Sequence, residues 1–256
     1  QIINQAAKWF YMSGGKKPMP IVIRLIIGRG WGQGPQHSQS LESIFAHIPG
    51  LKVVCPSNPY NAKGLLNAAI KDNNPVIFFE HRWLHDTLGN VPKKYFELNL
   101  GKSRYINRGK DITIVSFSYA VLMSLKIREI LSKNKISAEI IDLLSLRPLD
   151  TKKIINSAKK TSKVIIIDNG WMQYGVSAEI SALINDKLGG KVKVLRVGNA
   201  DAPIPSSASL AKYSYPTIKE IIKRISKICN KKILYKNTDI PNVPSDQPDK
   251  SFLGPF

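Results

Sequence analysis

The sequence has few cysteines, few acidic residues and no long apolar run. Only 2 of its 256 residues are cysteine, and Cys55 and Cys229 lie too far apart to suggest a zinc site or a disulfide framework. The longest apolar runs have the length of a strand, well short of the roughly 20 residues that cross a bilayer. These absences argue against a membrane span or a membrane partner, and they favour the reducing cytoplasm as the location.

The shortage of acidic residues gives the chain a formal net charge of +20. Clustered Lys and Arg would indicate a nucleic-acid surface. Here the basic residues are spread along the chain among isoleucines and asparagines, as in KNKIS and NKKILYKN. We therefore expect a solvated basic surface and no nucleic-acid partner. Basic patches that attract an acidic partner domain are the alternative, because long-range fields raise association rates.

Strand and helix patterns alternate along most of the chain. The run PIVIRLII has almost no polar residue, which predicts a parallel strand buried on both faces. Residues 59–72 carry apolar side chains on one side of a helix that opens with a proline. This order of strand, loop and helix predicts an α/β fold with doubly wound parallel sheets.

The alternation is interrupted once and stops near the end. Residues 86–108 combine glycine, proline and charge with weak periodicity, which predicts an inter-domain connection. We expect two domains, at 1–108 with the linker included and at 109–233. Residues 234–256 are rich in Pro, Asp and Ser and predict an extended tail. The start at Gln1, without a methionine or a signal-peptide pattern, indicates an amino-terminally truncated chain.

A glycine-rich loop at residues 28–39 follows the first predicted strand. Ligands bind at the carboxyl ends of strands in open α/β sheets, and glycines let the backbone approach a ligand closely. The same pattern also fits an ordinary loop. Ser38 and Ser40 predict an N-cap for the next helix.

His37 is the sharpest candidate for chemistry. Just before the predicted helix, the positive end of the helix dipole would keep its imidazole neutral near pH 7, able to shuttle a proton. A structural histidine beneath the loop is the alternative. His81 and His85 flank Arg82 and Trp83 without metal-ligand spacing, so we interpret both as structural or loop-edge residues.

The segment AIKDNNP, from Ala69 to Pro75, ends a predicted helix. Its Asp and Asn residues commonly cap a helix and turn the chain. Its carbonyl oxygens could instead ligate a hard cation. The sequence favours the capping interpretation.

Several spaced strings point to one family when they are taken together. These are QIINQAAKWFYMSGG, GPQHSQS, HIPGLKVVCPSNPYNAKGLL, AAIKDNNPVIFFEH, IDLLSLRPLD, DNGWMQYGVSAEI and ADAPIPSS. In this order they resemble the beta subunits of pyruvate, branched-chain 2-oxo-acid and acetoin dehydrogenases, within the transketolase-like superfamily. The resemblance implies an incomplete transketolase-like pyrimidine-binding domain followed by a transketolase carboxy-terminal domain.

The resemblance implies thiamine-diphosphate-dependent decarboxylation of a 2-oxo acid, followed by acyl transfer to the lipoyl group of a partner acyltransferase. His37 matches the family's QHSQ histidine, which lies beside the thiazolium, donates a proton and orients the acyl acceptor. The glutamate that contacts the aminopyrimidine would lie upstream of Gln1. Magnesium and the diphosphate would be held by an alpha-type subunit in an α2β2 assembly, so this chain alone is expected to be inactive.

By the same resemblance, backbone oxygens of Ile21, Ala69 and Asn74, together with Asp72, imply a structural potassium site. The strings IGRGWGQG and EHRWLH depart from the pattern of a typical pyruvate enzyme. This departure leaves the identity of the 2-oxo acid open.

Two other hypotheses stay open. The chain could be part of another thiamine-dependent transferase of the transketolase type, or a non-catalytic assembly subunit that pairs with an alpha-type chain. The continuous GPQHSQ and HIPGLKVV strings favour the dehydrogenase beta type.

Overall fold

Strands and helices alternate in the computed structural model, which describes residues 1–29, 32–240 and 246–248. The strands are β1 (Val22–Ile27), β2 (Lys52–Val54), β3 (Val76–His81), β4 (Arg104–Asn107), β5 (Ile112–Ser116), β6 (Ala138–Asp142), β7 (Ser145–Arg147), β8 (Lys163–Trp171) and β9 (Lys193–Asn199). The α-helices are α1 (Ala7–Met12), α2 (Gly34–His37), α3 (Glu42–Ala46), α4 (Pro59–Ile70), α5 (Tyr119–Lys133), α6 (Thr151–Thr161), α7 (Val176–Leu188), α8 (Ala208–Ala211) and α9 (Ile218–Cys229). A π-helical segment, Ile2–Ala6, runs into α1, and 3-10 turns occupy Arg82–Leu84 and Asn237–Asp239.

The first sheet has the strand order β1-β3-β2-β7. Strands β1, β3 and β2 are parallel. Strand β7 pairs with β2 in the antiparallel direction, although it comes from a much later part of the chain. One apolar cluster accordingly includes residues from both sheets.

The second sheet has the order β4-β6-β5-β8-β9, in which all neighbours are parallel except β4 and β6. Successive residues of β8 point to opposite faces, so Ile165 packs with α5 and α9 while Ile166 packs with α6 and α7. Helices on both faces of a mainly parallel sheet confirm the predicted α/β fold.

Strand β1 is not buried on both faces as its sequence predicted. It lies at the edge of its sheet, and its residues alternate in exposure, with Ile26 at 61%. The guanidinium of Arg24 donates two hydrogen bonds of 2.9 Å to the Glu80 carboxylate on β3. The expectation was wrong because composition does not report whether a strand is central or at an edge.

Two short antiparallel strands were not predicted. Strand β4 lies within the segment 86–108 that was interpreted as a connection, and β7 lies within SLRPLD. The division at residues 108 and 233 stays a prediction. Of the expected tail, the described beginning contacts the end of α5, where Asn134 exchanges hydrogen bonds with the main chain of Leu234. Within the described ranges, no helix is long and apolar enough to span a bilayer.

Candidate functional site

The loop after β1 and the turn after β3 meet at the carboxyl ends of two neighbouring strands. Ile27 and His81 are partners in the strand register, and the loop closes with a hydrogen bond from the Gly28 amide to the Gln39 carbonyl at 3.2 Å. At Gly28 the backbone has φ +103°, and an added Cβ would lie 2.3 Å from Nε2 of His81. Only glycine therefore allows this loop to cross His81 so closely.

His81 has the structural role that the sequence suggested. It is buried, its Nδ1 accepts a hydrogen bond from the Trp83 amide at 3.2 Å, and its ring stacks on Tyr119 with centroids 4.8 Å apart. Burial, with a smaller contribution from Arg29, lowers the pKa of His81 well below its usual value. The ring is thus neutral and fixed in place.

His37 is the last residue of α2, and its side chain is exposed. Arg82 holds this turn, since its Nη2 donates to the His37 carbonyl oxygen at 3.0 Å and its Nη1 donates to the Gln33 side chain. The main chain is therefore anchored while the imidazole stays accessible.

The helix predicted after His37 is present, but its predicted N-cap is wrong. Helix α3 begins only at Glu42, with Leu41 at its N-cap and no side-chain capping bond. Neither Ser38 nor Ser40 caps a helix, although both are buried. His37 instead ends a helix of a single turn, so it does not lie at the positive end of a helix dipole as the sequence predicted.

Arg29 lies within a group of aromatic rings. Its guanidinium carbon is 4.3 Å from the ring centroid of Tyr215, 5.6 Å from that of Tyr119 and 5.8 Å from that of Trp83. These distances are in the range of cation–π contacts. Burial lowers the pKa of Arg29, whereas Tyr119, Tyr215 and Asp246 raise it. Sequence reasoning missed this group because its members come from four separate segments.

Buried polar atoms of Tyr215, Ser38 and Arg82 lie close together. Burial raises the pKa of Tyr215, while Arg29, a side-chain hydrogen bond with Ser38, and Arg82 lower it. Nε of Arg82 is buried without a hydrogen-bond partner among the described residues. We call Arg29, Ser38, Arg82 and Tyr215 the donor cluster. It lies beside the His37 turn, because Ser38 follows His37 and Arg82 binds its carbonyl.

Of the residues named for the potassium site, Ala69, Asp72 and Asn74 share one hydrogen-bonded turn, and Ile21 bonds to the nearby Val76. The Ile21 carbonyl accepts from the Val76 amide at 2.9 Å, and the Ala69 carbonyl accepts from the Asp72 amide at 3.2 Å. The Asp72 carboxylate accepts from the Asn74 amide at 2.9 Å and also pairs with the Lys52 ammonium. The oxygens suit a monovalent cation in type, but Lys52 already balances the only carboxylate charge.

A second group of buried acids lies where α3 meets the end of β8. Burial, assisted by the nearby Asp168, raises the pKa of Glu42 to about 8. One carboxyl oxygen of Glu42 has no described hydrogen-bond partner, and Glu42 and Asp168 line a small cavity of about 20 Å³. Such a volume is enough for one water molecule. Asp168 itself accepts from the amides of Gly170 and Ser177 at 3.1 and 2.8 Å.

A larger cavity, of about 1090 Å³, lies between α3, β7 and α7. Its walls include Ile44, His47 and Tyr174 but neither His37 nor any member of the donor cluster. The larger cavity is therefore not lined by the residues of the candidate site.

The fold and the two sheets define a two-domain chain of the transketolase class. Residues 1–86 match the family described as "Transketolase, pyrimidine binding domain", and residues 101–221 match "Transketolase, C-terminal domain". A solved "Split gene transketolase, inactive beta4 tetramer" superposes with a TM-score of 0.68, covering 86% of this chain and 71% of that one. At 17% identity, this likeness supports the fold alone.

Within the transketolase class, the chain is similar to beta subunits of acetoin and pyruvate dehydrogenases. An "Acetoin:2,6-dichlorophenolindophenol oxidoreductase subunit beta" from Bacillus subtilis is 42% identical over 226 residues, covering 87% of this chain and 66% of the relative. A similar subunit from Cupriavidus necator is 40% identical over 223 residues, with coverage of 86% and 66%. The "Pyruvate dehydrogenase E1 component subunit beta" of Rickettsia felis is 37% identical over 232 residues, with coverage of 89% and 71%. The chain belongs to the family of pyruvate and acetoin dehydrogenase beta subunits, as its motifs predicted, and it spans about two thirds of their length.

Proposed function

We propose that this chain is part of the beta-type subunit of a thiamine-diphosphate-dependent 2-oxo-acid dehydrogenase. The reaction would be decarboxylation of a 2-oxo acid and transfer of the acyl group to a lipoyl carrier. The observation that supports this proposal most directly is the exposed His37 imidazole, on a main-chain turn that Arg82 anchors at the carboxyl ends of β1 and β3.

Thiamine diphosphate, when bound, would supply the carbanion chemistry, and protein groups would supply position and charge. In this chain, His37 would carry the proton on its ring and deliver it to a substrate oxygen. Arg82 would be a positioning residue, because it holds the His37 main chain rather than the reacting atoms. The close packing of Gly28 against the buried His81 ring would hold the loop after β1 in position.

The groups that bind magnesium and the diphosphate would come from a partner chain. Among the described residues, no group of three or more His, Cys, Asp and Glu side chains could hold a metal ion. We propose that an alpha-type partner holds magnesium and the diphosphate. We propose an α2β2 assembly that passes its acyl group to a lipoyl acyltransferase, in the cytoplasm and without membrane or nucleic-acid partners.

We also propose that potassium binds at Ile21, Ala69, Asp72 and Asn74. A bound cation stabilises the folded state by mass action, so the melting temperature should rise in KCl relative to choline chloride at equal ionic strength. Asp72→Asn should reduce this rise, whereas Asp186→Asn, at an exposed helical position, should not. An equal melting temperature in both salts would leave Lys52 as the only cation at this turn.

The enzyme proposal is tested with the full-length parent chain, purified with its alpha-type partner and thiamine diphosphate. A panel of 2-oxo acids would be assayed for decarboxylation and for acyl transfer to a lipoyl domain. His37→Ala should lower turnover by about 10²–10⁴-fold, the usual size of a general acid–base contribution. His47→Ala is the matched control, because His47 is also exposed but lies at the end of α3.

The proposal fails if the intact, cofactor-loaded assembly turns over no acid in the panel. A transketolase-type transferase would then be tested with ketose donors. If those are also inert, a non-catalytic assembly subunit is the remaining hypothesis.

A further inference from the structure

The turn that carries His37 is too short to hold its own conformation. Helix α2 has only 4 residues and no side-chain capping bond, and isolated helices shorter than about 12–15 residues are marginal in water. Arg82 supplies one tertiary contact, a hydrogen bond to the His37 carbonyl oxygen. The position of the imidazole therefore depends on the other segments that pack against this turn.

Residues 200–215, which follow β9, contact the turn on both sides of its histidine. At Gly34, the first residue of α2, φ is +69° and an added Cβ would lie 2.5 Å from the hydroxyl oxygen of Ser206. Beyond the end of α2, the side chain of Ser38 forms a hydrogen bond with Tyr215. These two side chains are buried, at 2% and 3% exposure, so water does not compete for their bond.

The 200–215 segment is itself fixed to the second sheet. The Ala200 amide donates to the Ser214 carbonyl oxygen at 2.9 Å, which closes the segment into a loop. At the end of β8, Nε1 of Trp171 donates to the Ala202 carbonyl oxygen at 3.0 Å. The segment also has a small buried cluster of its own, formed by Ile204, Ala211 and Tyr215. It can therefore act as a firm support for a turn that belongs to the first sheet.

We propose that the 200–215 segment positions His37 for proton transfer, and that Tyr215 is a positioning residue that acts through its hydrogen bond with Ser38. This inference rests on the proposed function, because it concerns the same histidine. A reacting group that is displaced by about 1 Å can lose about 10²-fold in rate. Tyr215 holds the neighbour of His37 rather than the substrate, so its loss should lower kcat and leave KM unchanged.

Tyr215→Phe tests this role, because it removes the hydroxyl but keeps the ring that lies 4.3 Å from the Arg29 guanidinium carbon. The full-length assembly with its alpha-type partner and thiamine diphosphate would be assayed with the best 2-oxo acid of the panel. We expect kcat to fall about 5-fold or more, because the buried Ser38 hydroxyl loses its partner. Tyr213→Phe is the matched control, since Tyr213 lies in the same segment but is 72% exposed, and it should leave kcat unchanged.

Two double variants separate positioning of His37 from a general structural role. Ser38→Ala removes the other partner of the same hydrogen bond, so combining it with Tyr215→Phe should lower kcat no further than the larger of the two single effects. In a His37→Ala background, Tyr215→Phe should leave the residual rate unchanged, because the histidine through which Tyr215 acts is already absent. A general structural role would lower the residual rate by the same factor as in the parent.

The outcomes distinguish this inference from the proposed function. If Tyr215→Phe leaves kcat at the parent value, or lowers it equally with and without His37, the inference is overturned while the dehydrogenase stands. If no acid is turned over, the proposed function fails, and hydrogen–deuterium exchange of the same assembly decides whether the segment holds the turn. Amides of residues 36–41 should then exchange about 5-fold faster in Tyr215→Phe than in Tyr213→Phe, and equal rates would overturn the inference.

Discussion

The two sheets have strands of similar composition but differ in how completely these strands are covered. In the second sheet, β5 and β6 are buried along their whole length, with helices packed on both faces. In the first sheet, β1 is an edge strand on which Arg24 and Ile26 are exposed. The central strands of the second sheet therefore form a fully buried core, whereas the first sheet holds the loops of the candidate site beside a partly exposed edge strand.

The largest expected difference between the two sheets is the loss of stability when one isoleucine in each is replaced by alanine. Ile166→Ala removes a fully buried side chain from β8 and should lower the free energy of unfolding by about 2–5 kcal/mol, because a cavity remains. Ile26→Ala, on the exposed side of β1, should change it by no more than about 0.5 kcal/mol. Urea unfolding followed by circular dichroism measures both. Similar losses in the two variants would mean that the face of β1 with Ile26 is covered in solution.

The same comparison separates what the sequence could predict from what it could not. Local patterns predicted the regular elements, as in α9, where Thr217 and Glu220 form a capping box before a stripe of buried isoleucines. The strands β4 and β7 were missed because they are short and depend on pairing with distant segments. The edge position of β1 was missed because composition does not report which strands are neighbours in a sheet.

Part of the candidate site could be predicted from the sequence and part could not. A motif predicted His37, and the structure places it on an exposed turn beside the strand ends. The aromatic rings around Arg29 could not be predicted, because Tyr119 and Tyr215 come from the part of the chain that matches the transketolase C-terminal domain, and no local pattern links them to the loop. The available signal was that IGRGWGQG and EHRWLH depart from the pattern of a typical pyruvate enzyme.

A smaller loss of stability is expected from a substitution in the loop that follows β1 of the first sheet. Gly28→Ala would place a Cβ against the buried His81 ring, and we expect this overpacking to lower the free energy of unfolding by about 1–3 kcal/mol more than a control does. The control is Gly14→Ala, which also has positive φ but has no neighbour within 4 Å of the added Cβ. Thermal unfolding measures stability, and near-ultraviolet circular dichroism reports the aromatic packing around His81. Equal losses in the two variants would mean that His81 moves aside easily.

The smallest effect concerns pH and the buried acid Glu42, which lies where the two regions meet. Its folded-state pKa of about 8 lies above the ordinary value of 4.5, so folding favours the protonated form and stability falls as pH rises between these values. Glu42→Gln keeps a neutral side chain at every pH. Its free energy of unfolding relative to the parent should therefore rise by about 1 kcal/mol between pH 6 and pH 7.

The parent chain also contains Asp142, whose pKa burial raises to about 7, so its own pH profile does not isolate Glu42. The difference between parent and variant does, because Asp142, Asp168 and Cys55 are present in both. Glu97→Gln is the control, since Glu97 is an exposed carboxylate with a lowered pKa, set chiefly by hydrogen bonds from Lys71 and Tyr95. A difference between parent and Glu42→Gln that does not change with pH would mean that Glu42 is ionised in the folded state, with a water or a cation compensating its charge in the small cavity beside Asp168.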